Sequence, residues 1–250
     1  MNDTPEKLEL DGLAHPDQIV PSNTYSQTQI TTYKLCPYNY YIQYVMNHRE
    51  PKKSSMYLGE VCHNGFAGIL KRERTLEDAK EEVFEKLKMP SKEIIFNEKE
   101  TVEDLIKSSG LILDSFHKKF SELHPDLVEE KLKEVIRGYS LMGILDSYFN
   151  SGIYMDWKIV SRFSGKSPLQ VVFYSLFKPI VRGKYVMFNR KGEVKTQDVL
   201  VIKERYFYEA QIFEIINLIE TGLFPKNPVE WKCSEKFCHF YNHCHNGNPL

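Results

Sequence analysis

Asp146 closes one strand-like stretch and Asp156 lies near the end of the next, with Lys158 two positions further on. A hairpin or bent meander would bring the two carboxylates to one place. There they offer hard oxygen ligands to Mg2+ or Mn2+ and leave positions open for water and a phosphate oxygen. In an extended strand Lys158 shares a face with Asp156, where its charge could orient an attacking water or neutralise charge growing on a phosphoryl group. This is the chemistry of metal-assisted phosphodiester cleavage. Asp-x-Lys alone is a common tripeptide, most often a solvated turn or strand edge. Here Ile153, Tyr154, Met155, Trp157, Ile159 and Val160 make the strand largely apolar, and buried charges are seldom kept unpaired.

His63, in Leu58-Gly-Glu-Val-Cys-His63, could add a neutral imidazole to a metal site, although a lone helical histidine is more often a packing or surface residue. Gln170 and Tyr174 are spaced to share one helix face; they contact a phosphate or a base, or serve as ordinary amphipathic-helix residues. Gly165-Lys166-Ser167 has the look of the end of a phosphate-binding loop. The glycine that motif requires would be residue 160, which is Val160, so a nucleoside triphosphatase is not expected.

A second group of reactive side chains sits at the chain's ends. Cys233, Cys238 and Cys244 fall within a short irregular tail, and Cys36 supplies a fourth thiol from the other end. Four thiolates suit an iron-sulfur cluster or a structural zinc, and His239, His243 and His245 leave a mixed Cys and His zinc site open. Trp231, Phe237, Phe240 and Tyr241 could shield such a group. Cys62 fits neither set and reads as a core thiol.

The elements that must position these residues follow from periodicity. The chain has 250 residues, 42% hydrophobic, 27% charged, with a net charge of -1. These values describe an ordinary globular protein with one substantial core and no global attraction to polyanions. Residues 1–21 have no sustained period and read as a flexible lead-in. The polar, acidic start lacks a signal peptide, and no run is long enough to span a bilayer, so an intracellular setting with reduced or metal-bound cysteines is expected. Residues 22–250 are read as a single domain: a mainly helical part over 22–125, a core over 126–224 and a cysteine-rich tail over 225–250. Ser26 caps a first helix; a second covers Tyr38 to Val45, and Met56 to Lys71 follows. Thr75 to Lys88 and Val102 to Leu123 are charged outer helices. Leu127 to Arg137, Ser140 to Tyr148 and Tyr154 to Val160 look like a meander of antiparallel strands. A short helix from Pro168 to Leu176, strands over Ile180 to Phe188 and Val194 to Ile202, and a long helix from Glu204 to Leu223 complete the pattern.

In this order the fragments resemble the RecB-like branch of the PD-(D/E)XK nuclease superfamily, in particular its iron-sulfur exonucleases akin to the CRISPR-associated adaptation exonucleases. Tyr25 to Tyr41 is similar to the family's first helix and first cluster cysteine, Gly59 to His63 to its Gly-xxx-His motif, and Gly143 to Asp146 to its Gly-xx-Asp motif. Asp156-Trp-Lys158 resembles the (D/E)XK motif, Gln170 with Tyr174 the Gln-xxx-Tyr helix, and the last three cysteines the C-terminal triplet. The resemblance implies an α/β (α+β) restriction-endonuclease-like core, with a central mixed sheet flanked by helices. It implies a metal held by His63, Asp146, Asp156 and the main-chain carbonyl of Trp157, with Lys158 as catalytic lysine. It places Gln170 and Tyr174 at the substrate and a 4Fe-4S cluster on Cys36, Cys233, Cys238 and Cys244, structural Zn2+ being the alternative. The gap between Cys233 and Cys238 is wider than is common in the family. The implied activity is a Mg2+- or Mn2+-dependent deoxyribonuclease, an exonuclease on single strands or duplex ends, with replication, recombination, repair or CRISPR-adaptation proteins as partners and no membrane role. The other readings are a catalytically silent nucleic-acid-binding protein of the same fold and a zinc-stabilised interaction domain.

Overall fold

The computed structural model describes residues 24–89, 94–96, 100–228 and 232–247; the lead-in expected over residues 1–21, and Trp231, lie outside the described residues. The chain divides into two compact units. One draws on Met1–Glu50, Arg137–Ser140 and Ala210–Leu250, the other on Pro51–Ile136 and Leu141–Glu209.

In the first unit, β1 (Tyr25–Ser26) leads into α1 (Gln27–Leu35). Ser26 Oγ accepts the Gln29 N–H at 3.3 Å, and the Gln29 side chain accepts the Ser26 N–H at 2.7 Å, a reciprocal cap. Pro37 then opens α2 (Pro37–Tyr40). The helix expected through Val45 continues, but as a π-helical turn over Tyr41–Val45. Around that wider turn the rings crowd together: Tyr40 stacks on Tyr44 at 4.9 Å, and Tyr40 and Tyr41 meet Phe224 at 5.9 and 5.4 Å. Side-chain bonds fasten the early segment to the late one. Tyr25 Oη donates to Glu220, Tyr33 Oη to the Leu223 carbonyl, and Asn227 Nδ2 to the Leu35 carbonyl at 2.9 Å. The tail ends in α8 (Tyr241–Asn246), stopped by Gly247 in a left-handed conformation.

The second unit builds a helical layer and a sheet. The helices are α3 (Ser54–Leu70), α4 (Leu76–Lys88) and α5 (Val102–Phe120), and a small parallel pair joins β2 (Lys52–Lys53) to β3 (Ile94–Ile95). Thr75 with Asp78 and Thr101 with Asp104 form the same reciprocal cap at the starts of α4 and α5. The strands are β4 (Leu127–Ile136), β5 (Tyr139–Phe149), β6 (Ile153–Val160), β7 (Arg182–Asn189) and β8 (Val194–Leu200). They run in the order β5-β6-β7-β8, with β4 also pairing β5. Between β6 and β7, α6 (Leu169–Ser175) crosses over and permits parallel pairing, while β5–β6 and β7–β8 are antiparallel. The sheet is therefore mixed and flanked by helices, as the resemblance implies. The strand expected to reach Ile202 stops at Leu200: β7 begins at Arg182, opposite Leu200, and Val201 instead opens α7 (Val201–Glu220).

Alternation along β6 divides its side chains between two faces. Met155, Trp157 and Ile159 join the core of α3–α5, where Phe66 and Phe116 stack at 3.9 Å and Trp157 meets Phe116 edge-on at 5.1 Å. Tyr154, Asp156 and Lys158 take the other face, toward α6. The helix sits tightly there, because a Cβ on Gly183 of β7 would fall 2.3 Å from Val171 Cγ1. No helix among the described residues is long and apolar enough to cross a membrane.

Candidate active site

The two aspartates meet where β5 and β6 part. Their ladder pairs Phe149 with Ile153, Tyr148 with Tyr154 and Ser147 with Met155, around a turn in which Gly152 takes a φ of 82°. One step further, Asp146 and Asp156 stand opposite each other. The main-chain N–H and C=O of one strand residue point to the same side, and at Trp157 both find side chains. The Trp157 N–H donates to Asp146 Oδ2 at 2.9 Å, and its carbonyl oxygen lies 2.7 Å from His63 Nε2. A rung of the sheet is thus replaced by a carboxylate and an imidazole.

Asp156 is fully buried and Asp146 is 7% exposed. Asp156 Oδ1 accepts from Tyr154 Oη at 2.8 Å and from Gln170 Nε2 at 2.5 Å. Asp156 Oδ2 lies 2.9 Å from Lys158 Nζ, yet it receives no hydrogen bond. That contact is an ion pair between a buried carboxylate and a part-buried ammonium of opposite charge. Burial would pull the Lys158 pKa down, but the carboxylates of Asp156 and Asp146 more than offset this and raise it. The ammonium therefore stays charged at neutral pH, suited to electrostatic work rather than to proton abstraction.

Glu129, unremarked in the sequence, joins the group from β4. Its φ of 51° is left-handed, uncommon for a residue other than glycine. His63 Nδ1 lies 3.5 Å from Glu129 Oε1 and 3.7 Å from Asp146 Oδ2, and ligand atoms of the three residues fall within 4.8 Å of one another. Burial alone would lower the His63 pKa; the Asp146, Glu129 and Asp156 charges outweigh it and raise the value. Burial pushes the Asp146 carboxyl up, with repulsion from Asp156 and Glu129 adding to it and His63 and Lys158 opposing it. The donor set fits a divalent cation: the carboxylates of Glu129 and Asp146 and the His63 imidazole converge within reach of one ion.

The motif glycine and tyrosine prove to be one packing unit. A Cβ on Gly143 would sit 2.7 Å from Tyr174 Cε1, and Tyr174 Oη donates to the Ile144 carbonyl at 2.5 Å. Gln170 and Tyr174 are thus engaged with Asp156 and with the β5 main chain, and neither lines the cleft. That cleft, of about 940 Å³, is bordered by His63, Glu129, Asp146 and Lys158 and, along the loop after β6, by Arg162 and Lys166. Cys62 is fully buried in the core of α3.

Cys36, Cys233, Cys238 and Cys244 gather in the first unit around one small cavity, together with His245, whose Nε2 lies 3.0 Å from Cys233 Sγ. Burial raises the Cys238 and Cys244 thiol pKa values, and the neighbouring cysteines push the same way. As thiolates they would need a cationic group among them.

Comparison with known proteins agrees with the mixed fold. No curated protein sequence matches. A crystal structure of a candidate exonuclease from Eubacterium rectale superposes with a TM-score of 0.58 at 11% identity, over 91% of this chain and 89% of that one, a likeness of fold. A structure of SSO0001 aligns over 89% of this chain and 96% of that one at 14% identity, but its TM-score of 0.39 is too low to bear on the fold. The sequence profile of the PD-(D/E)XK nuclease superfamily matches residues 24–245. With that match spanning nearly the whole chain, the protein belongs to the PD-(D/E)XK nuclease superfamily.

Proposed function

We propose that this nuclease hydrolyses phosphodiester bonds of DNA with Mg2+ or Mn2+, as an exonuclease on single strands or duplex ends. The observation that carries the reading is Asp156 Oδ2, a buried carboxylate oxygen without a hydrogen bond, opposite Asp146 and beside Lys158. Asp146, Asp156 and Glu129 would hold the cation with His63 and the Trp157 carbonyl. A bound Mg2+ or Mn2+ supplies Lewis acidity and a water of lowered pKa. His63 must first give up a proton, since both its ring nitrogens face oxygen atoms. Lys158 neutralises charge developing on the phosphoryl oxygens. Tyr154 and Gln170 hold Asp156 in one orientation, and Trp157 N–H does the same for Asp146. The exonuclease preference is supported by the resemblance of the motif order and by the E. rectale protein's description, not by the cleft alone.

We read Cys36, Cys233, Cys238 and Cys244 as the holders of a 4Fe-4S cluster that fastens the early and late segments. The order of the four cysteines and their gathering around one cavity support that reading. Incubating end-labelled single- and double-stranded DNA with Mg2+, Mn2+ or chelator tests the activity. Chelator-sensitive release of nucleotides from ends is expected, lost in Asp156→Asn and Lys158→Ala proteins that keep the wild-type circular dichroism. Full activity in either folded variant, or in chelator, overturns the assignment; binding without cleavage favours the silent alternative.

A further inference from the structure

The loop between β6 and α6 is short and irregular, yet it is held in place from the sheet. The Lys166 N–H donates to Gln197 Oε1 and the Lys166 carbonyl accepts from Gln197 Nε2, each at 2.8 Å. Tyr185 Oη donates to the next carbonyl, that of Ser167, at 2.7 Å. Gln197 lies on β8 and Tyr185 on β7, so two strands fix the backbone of two adjacent residues. The side chain of Lys166 lines the same cleft as Lys158 and Asp146. It is partly buried; burial first and then the charge of Lys158 disfavour its ammonium, and the Asp156 charge opposes them only in part. Among the described residues no carboxylate lies within ion-pair distance of Lys166. A part-dehydrated cation beside a second cation is an arrangement completed by an anion, and fixing the backbone that carries it in advance removes part of the cost of binding.

We infer that Lys166 binds a backbone phosphate flanking the scissile one, which makes it a substrate-positioning residue with no part in the bond-breaking step. This rests on the nuclease reading above. Gly165-Lys166-Ser167 is thus no nucleotide loop, but its lysine still serves a phosphate. The contact is with the backbone and so is indifferent to base sequence.

The test compares Lys166→Gln, Lys166→Arg and the wild type, with Lys203→Gln on the exposed start of α7 as an equal change of net charge outside the cleft. Anisotropy of a fluorescein-labelled single-stranded oligonucleotide, with chelator present, reads binding; initial rates with Mn2+ read kcat and KM. Lys166→Gln should raise Kd and KM roughly tenfold, flatten the slope of log K against log salt by about 0.7, and lower kcat far less. Lys166→Arg should restore both, and Lys203→Gln should change neither. An unchanged salt slope and Kd in Lys166→Gln, or an equal loss in Lys203→Gln, overturns the inference. A wild type that binds the strand but cuts nothing would remove the nuclease activity and leave the phosphate contact to be read from anisotropy. A wild type that does neither overturns both.

Discussion

Replacing Gly183 with Ala should unseat α6 and, through it, the Asp156 carboxylate. The new Cβ would lie 2.3 Å from Val171 Cγ1, 2.5 Å from Cγ2 and 3.0 Å from Cβ, where carbon atoms normally rest about 3.5–4.0 Å apart. Turning the Val171 side chain gives no relief, because a β-branched residue brings one methyl in as the other leaves. Helix and strand must therefore separate by about 1 Å. Overpacking of this kind costs about 1–3 kcal/mol, and the severity of the overlap places it at the upper end. Removing a glycine from a strand interior returns about 0.5–1 kcal/mol, which leaves a net loss of about 2 kcal/mol. Urea unfolding followed by tryptophan fluorescence measures it. Val171→Ala in the same chain removes both Cγ overlaps and leaves the Val171 Cβ at 3.0 Å, so the double variant should recover at least about 1 kcal/mol of the summed single losses. Activity should follow stability: Gln170, one residue before Val171, holds Asp156 Oδ1 at 2.5 Å, and a shift of about 1 Å at a reacting centre can cost on the order of 100-fold. A Gly183→Ala protein within about 0.5 kcal/mol of wild type and equally active would refute the argument.

Glu129→Gln should raise the Mn2+ concentration for half-maximal cleavage on the order of tenfold while the fold persists, a metal titration being the check. Apparent metal affinity should climb with pH between the ordinary imidazole value of 6.5 and about 9, because burial's downward pull on His63 is outweighed by its carboxylates and the proton must leave before the metal binds; calorimetry in buffers of different ionisation enthalpy counts the protons released. Without metal the sign reverses. The raised His63 value contributes stability that is complete below 6.5 and lost as pH rises through about 9, while the raised Asp146 value makes its ionisation a cost that accrues between 3.8 and about 7, so the chelated protein's melting temperature should fall as pH rises through both windows. Cys238→Ser, purified anaerobically beside wild type, should lose iron, sulfide and brown colour together and melt at lower temperature; a colourless wild type containing zinc would show that the cysteines hold that ion instead.

Much of this architecture is visible in local pattern. Ser26 and Gln29, Thr75 and Asp78, and Thr101 and Asp104 announce helix starts because a cap is a matter of a few neighbouring residues. The turn at Gly152 brings Asp146 opposite Asp156 through hairpin geometry, which the spacing alone implies. What escapes local reading depends on distant partners. The π-helical turn at Tyr41–Val45 accompanies packing on Phe224. The parallel pairing of β6 with β7 depends on where α6 lands. Glu129 is one acid among several on a charged strand until its left-handed backbone and the nearby His63 set it apart. Lys166 fails the phosphate-loop pattern by one glycine, and its place in the cleft comes from Gln197 on a later strand.

The amide of Trp157 is also a natural spectroscopic probe. In a continuous sheet its proton would end on a neighbouring carbonyl and say nothing about catalysis. Here it ends on Asp146 Oδ2, so its 15N resonance and its solvent-exchange rate follow the carboxylate as it gains a proton or a cation. The ionisation of Asp146 can thus be followed in one peak with no substrate present, on an amide whose indole belongs to the core and whose N–H meets that carboxylate.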